Sequence, residues 1–161
     1  MKRREFITLL GSAVAWPISA EAQQSRMPVL GFLASASEAA YTTTAADVRK
    51  GLNEAGYVEK RNLLIEYRWA NFQYERLPAL AAELVKRPVD AIFATGSVVS
   101  AIAAKSATAS IPIVFANGSD PVQYGLVASL NRPGGNITGI SFIEAQLGPK
   151  RIQLLRLLSR S

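Results

Sequence analysis

Short runs of Val, Ile, Leu and Phe alternate along this chain with longer stretches whose apolar positions recur every three or four residues. The first run, Pro28 to Ala34, reads as a strand that ends in Ser35-Ala36-Ser37. Tyr41, Ala45, Val48, Leu52 and Ala55 then share one helical face, and Gly56 stops that helix as a left-handed cap would. A second strand fits Asn62 to Trp69. Leu77, Leu80, Ala81 and Leu84 mark a helix that ends before Pro88. The third strand, Val89 to Ala94, is apolar except for Asp90, the pattern of a strand buried on both faces. Thr95-Gly96-Ser97 follows it, with Ser97 placed to N-cap an Ala-rich helix that runs to about Thr108.

A fourth strand fits Pro112 to Ala116 and leads into Asn117-Gly118-Ser119-Asp120-Pro121. Asp120 is placed to cap there, and Pro121 to open a helix whose Val122, Leu126, Val127 and Leu130 face the core. Asn131 to Asn136 is a turn by composition. A fifth strand fits Ile137 to Phe142, and an amphipathic helix with Ile152, Leu155 and Leu158 closes the sequence. Strands joined by helices pair most naturally in parallel. The expected fold class is therefore α/β, a three-layer doubly wound parallel sheet of about five strands.

The first 22 residues have a different character. Lys2, Arg3 and Arg4 precede a mostly apolar stretch from Phe6 to Trp16, which is too short to span a membrane. Ala20-Glu21-Ala22 then gives the small-x-small pattern of a cleavage site. This reads as an export signal, and Arg3-Arg4 before Glu5-Phe6-Ile7 resembles a twin-arginine signal, with a general secretory signal that happens to carry two arginines left open. Residues 1–22 are expected to be removed near Ala22, leaving residues 23–161 as one periplasmic domain.

The chain has 18 basic and 12 acidic side chains, net +6, with the basic ones single or in pairs. Without a dense basic stripe or interleaved aromatics, no nucleic-acid partner is expected. No Cys and no His occur. That excludes thiol catalysis, Ser–His triads, disulfides and most zinc sites. The turn after the first strand lacks Gly-x-Gly-x-x-Gly, and no phosphate loop follows any strand. Both absences count against a nucleotide enzyme, so no cofactor is expected.

In an open parallel sheet, ligands bind beyond the carboxyl ends of the strands. Those ends carry Ser35 and Ser37, then Thr95, Gly96 and Ser97, then Asn117, Ser119 and Asp120, then Ser141. All are small and polar or glycine. Thr95-Gly96-Ser97 is the sharpest of these turns, because two hydroxyls and the free N–H groups of a helix start suit a carboxylate. Ser97 equally serves as a plain helix cap, and Asp120 is better placed to cap than to act as an acid. Trp69, Phe72 and Tyr74 could stack on a ligand, although cover for a sheet edge is the simpler role.

Several longer segments resemble one family in combination. They include Gly51-Leu52, Gly56-Tyr57-Val58-Glu59, Ile65-Glu66-Tyr67-Arg68-Trp69, Leu77-Pro78-Ala79-Leu80, Ile111 to Ala116, Ser119-Asp120-Pro121-Val122 and Leu126 to Gly139. They are similar to the ABC transporter substrate-binding proteins of the tryptophan/tyrosine type. The resemblance implies a type I periplasmic-binding-protein fold, in which two lobes close on a small solute such as an amino acid and deliver it to a membrane permease. It places first-lobe ligand contacts at Ser35 to Ser37, Thr95 to Ser97 and Asn117 to Asp120. Family members continue past Lys150-Arg151 into a second lobe, so residues 23–161 are expected to be a first lobe truncated before it. Two other functions remain open at this point: a flavodoxin- or Rossmann-like enzyme, and a sensory ligand-binding module.

Overall fold

The computed structural model describes residues 26–142. The export signal and cleavage site expected in residues 1–22 and the amphipathic helix expected around Ile152 lie outside the described residues. Five strands form one parallel sheet: β1 (Val29–Ala34), β2 (Leu64–Trp69), β3 (Ala91–Thr95), β4 (Ile113–Asn117) and β5 (Ile137–Ser141), in the order β2-β1-β3-β4-β5. Three helices connect them: α1 (Thr42–Glu54), α2 (Leu77–Val85) and α3 (Val98–Ala107). Every expected strand is present, within about two residues of its expected start. The fold class is the expected one.

The alternation along the strands divides the core in two. Leu33, Ile92, Ala94, Ile113, Phe115 and Ile137 point to the side covered by α2 and α3. Phe32 and Ala34 point to the other side, where Ala45 and Val48 of α1 cover them with Ile65, Tyr67, Trp69 and Phe93. Phe32 is fully buried at the centre of an aromatic cluster, with ring centroids 5.3 Å from Tyr67, 5.2 Å from Trp69 and 5.4 Å from Phe93. Removing that ring would cost about 3–5 kcal/mol. Asp90, the polar residue in an apolar run, sits just before β3. Its carboxylate accepts the Val29 N–H at 2.7 Å and pairs with Arg26, tying the starts of β1 and β3 together.

The helix starts and stops follow local chemistry. At the end of α1, Gly56 has φ +88 and the Tyr57 N–H bonds the Leu52 carbonyl at 2.8 Å, which is the left-handed cap expected there. Leu77, Leu80, Ala81 and Leu84 are the buried face of α2, also as expected.

Two expectations need correction. No helix follows Pro121: the segment makes turns instead. Pro121 to Tyr124 form a single helix-like turn, and Gly125 (φ +64) ends it, with the Leu126 N–H returning to the Pro121 carbonyl at 2.8 Å. Leu126 and Val127 are tucked into the core beside α3, while Val122 and Leu130 stay exposed. Glycine reaches that left-handed conformation at little cost, so the chain leaves the helix there. Lys105 of α3 holds the turn, donating to the Gly125 and Leu126 carbonyls at 2.5 and 3.1 Å. The second correction concerns Ser97, which directly precedes α3 in an extended conformation but makes no side-chain cap bond.

Candidate functional site

The chain runs from β1 to β2 on one side of the sheet, then returns across β1 to β3 on the other. The carboxyl ends of β1 and β3 therefore lie side by side at the point where the winding reverses, the place where doubly wound sheets open a crevice. There the Ser35 N–H donates to the Thr95 carbonyl at 3.3 Å, which joins the two candidate turns directly. β4 adds Asn117 next to them, and β5 pairs Ser141 with Asn117. The residues chosen from the sequence do converge on one edge.

Their side chains do different work. Thr95 is buried and its hydroxyl donates to the Ala116 carbonyl at 3.2 Å, so it clamps β3 to β4. Ser37 accepts the Ala40 N–H at 3.3 Å and starts the short 3₁₀ turn Ala39–Tyr41. Asp120 accepts the Val122 and Gln123 N–H groups at 2.9 and 3.3 Å, the capping role expected of it. The Ser119 carbonyl accepts the Ser141 hydroxyl at 2.6 Å, fastening the loop after β4 to β5.

Three groups are left facing the edge with capacity to spare. The Ser97 hydroxyl has only Ser100 Oγ, at 3.5 Å, within hydrogen-bond reach among the described residues. Because nothing from the side chains caps α3, its first N–H groups remain available. Asn117 is buried, and its Oδ1 accepts the Ser119 N–H at 3.0 Å. That bond fixes the amide so that Nδ2 is the buried donor, and Nδ2 has no partner among the described residues. A buried donor left unmatched costs about 1–3 kcal/mol, which a bound acceptor would recover.

Gly96 closes the turn with φ +94. A Cβ there would collide with Ser35 Oγ and come within 3.0 Å of the Tyr41 hydroxyl. Only glycine lets the β1 and β3 turns meet. Tyr41 therefore belongs to the site, although sequence reasoning used it only as a core-facing helical position. Burial raises its pKa above 10.0, and the nearby Tyr74 phenol raises it further. Tyr41 lines a cleft of about 520 Å³ with Phe93, Phe142, Thr95, Gly96 and Asn117. Of the three aromatics weighed from the sequence, Trp69 stacks on Tyr67 at 5.6 Å and is core cover. Phe72 and Tyr74 stay exposed. No group of His, Cys, Asp or Glu suited to a metal ion occurs among the described residues.

Known proteins resemble this chain in sequence and in fold. A tyrosine-binding protein of Clostridioides difficile is 39% identical over 92 residues, which are 57% of this chain and 26% of that protein. A Streptococcus pneumoniae domain solved in complex with L-Trp superposes with a TM-score of 0.66 at 26% identity, over 72% of this chain and 39% of its own. An open, ligand-free substrate-binding protein with adhesive properties from Clostridium difficile gives a TM-score of 0.69 at 30% identity, over 79% and 43%. The chain thus spans less than half the length of these relatives. The family model for ABC transporter substrate binding proteins matches residues 26–159, and the chain belongs to that family.

Proposed function

We propose that this chain is an exported solute-binding component of an ABC importer. It forms one wall of a site for a small polar solute, an amino acid by preference, which is then handed to a membrane permease. The carrying observation is the junction at the sheet's switch point, where the Ser35 N–H bonds the Thr95 carbonyl and Gly96 lets the turns touch. The uncapped start of α3 and the Ser97 hydroxyl suit the solute's carboxylate, and Asn117 Nδ2 supplies a further donor. Ser37, Thr95, Ser119 and Asp120 act by holding the turns, and Ser35 by joining them. The tyrosine and L-Trp ligands of relatives support an α-amino acid. A second lobe closing over this edge completes the site, because charge-assisted hydrogen bonds weaken in contact with bulk water.

Calorimetry with a panel of L-amino acids tests the reading. This chain by itself should bind on the order of millimolar or weaker, and with a second lobe grafted from a relative about micromolar. Ser97→Ala in the graft should cost roughly 1–3 kcal/mol through loss of a hydrogen bond to a charged group. Absence of saturable amino-acid binding in the graft would overturn it. The strand order 2-1-3-4-5 is also that of flavodoxin-like enzymes. A flavin or nicotinamide retained through purification would favour that second reading.

A further inference from the structure

We infer that residues 149–160 form a helix that packs beside α1 on the open face of β4 and β5. Right-handed connections explain why that face is bare. The step from β1 to β2 runs one way along the sheet and puts α1 over Phe32 and Ala34. Every later step, through β3 and β4 to β5, runs the other way, and α2 and α3 lie on the opposite side. Ile113, Phe115 and Ile137 are buried there. Their neighbours Val114, Thr138 and Ile140, with Phe142 just beyond β5, point to the α1 side, where no described element covers them. Val114 is 40% exposed, Ile140 61% and Phe142 59%. Large apolar side chains grouped on one sheet face mark a surface that something covers.

The segment after β5 fits this face in position, length, pattern and charge. It leaves the sheet at Phe142, itself part of the face, and has only to reverse direction as the chain does after β1. Residues 143–148 suffice for that turn, within the usual range for a strand-to-helix connection. Gly148 then breaks the chain, and Pro149 suits the first helical position. A helix from Lys150 to Ser159 is about 15 Å long. A strand of the length of β5 spans about 17 Å, so one such helix covers it. Ile152, Leu154, Leu155 and Leu158 fall on one side of the helix, and Gln153, Arg156 and Arg160 on the other. A helix so placed lies along the cleft, whose walls include Asp47 and Val48 on α1 and Ala116 and Phe142 on the sheet. Asp47 has no salt-bridge partner among the described residues. Residues 143–161 carry Lys150, Arg151, Arg156 and Arg160 against Glu144 alone, so the charges of the two walls are complementary.

The test uses the full chain from residue 23 onward, whose lack of cysteine allows a single spin label at Arg156→Cys. In NMR spectra the label should broaden the Val114, Thr138 and Ile140 amide signals and leave those of α2, behind the sheet, sharp. Leu155→Asp combined with Leu158→Asp should abolish the broadening and raise binding of an apolar fluorescent dye severalfold. Ile140→Lys, at an exposed position of the sheet face, should do the same from the other side of the contact. Sharp Val114, Thr138 and Ile140 signals in the spin-labelled chain overturn the inference. So does broadening that persists in both variants. Mixing spin-labelled chain with isotope-labelled chain that carries no spin label separates one further outcome: equal broadening in the mixture means that a second copy covers the face, and the inference falls.

Discussion

Gly96→Ala is the sharpest test of the site's construction. The substitution acts twice. The backbone at φ +94 is outside the range that residues with a Cβ adopt comfortably, which costs about 1–2 kcal/mol. The new methyl would also overlap Ser35 Oγ, approach the Tyr41 hydroxyl to 3.0 Å and approach the Ser35 backbone nitrogen to 3.3 Å. Ser35 is buried and its backbone is pinned to Thr95, so the neighbour cannot simply swing away. Overpacking of this kind costs about 1–3 kcal/mol. The sum, about 2–5 kcal/mol, is a large part of the stability of a domain this size. Urea unfolding followed by circular dichroism should show the midpoint falling by about 1–2 M with an unchanged slope. Adding Ser35→Ala removes the overlapping oxygen and should recover the steric part, but not the backbone part. A Gly96→Ala midpoint within about 0.2 M of the parent would refute the close approach and, with it, the contact between the two turns.

Other expectations follow from particular contacts. Replacing Arg3 and Arg4 together by Lys should abolish export if a twin-arginine receptor reads the pair, since lysine lacks the planar guanidinium fork; unchanged periplasmic yield on fractionation would leave a general secretory signal. Asn136→Ala should destabilise by about 1–3 kcal/mol in urea titration, because Asn136 Nδ2 donates to the Thr108 and Ile111 carbonyls at 3.1 and 2.7 Å and fixes the entry to β5. Tyr41 and Tyr67 both have pKa values raised above 10.0, mainly by burial, so the folded state holds their protons longer than the unfolded chain does. Their contribution to stability should be complete below about pH 10 and be lost as pH rises through the folded values. Tyr67→Phe should flatten the alkaline fall in urea midpoint, and an identical pH profile in that variant would contradict the assignment.

Whereas β2 has no fully buried residue and β5 has one, β1 and β3 were legible because they are mostly buried and so read as continuous apolar runs. Val89 to Ala94 showed this even with Asp90 inside it. Asp90 turns out to stand just before β3, where its carboxylate bonds the start of β1. The expected helix after Pro121 failed for a reason visible in the sequence but outweighed there by periodicity. Val122, Leu126, Val127 and Leu130 have helical spacing, and Asp120-Pro121 is a strong helix start. Gly125 lies inside that stretch, and a single left-handed residue is enough to end the helix after one turn. Tertiary contacts then settle the matter, since Lys105 on α3 satisfies the carbonyls that the turn leaves open.

The site was legible as a place and not as a set of contacts. Small polar residues at strand ends pointed to one edge, because a parallel sheet puts all of its carboxyl ends together whatever the side chains do. The sequence could not show which hydroxyls the fold itself consumes. Thr95 clamps a neighbouring strand, whereas Ser97, expected to cap α3, leaves that helix start open. Nor could spacing alone reveal Tyr41. It lies one helical turn before Ala45 and so passes for a core position, but its hydroxyl lies beside Gly96, where a Cβ would come within 3.0 Å of it. The usable signal was the combination of Gly96, which had to accept something close, and a tyrosine between β1 and α1. Both sit on either side of the switch point, separated by more than 50 residues of sequence, and only the reversal of winding between β1 and β3 brings them into contact.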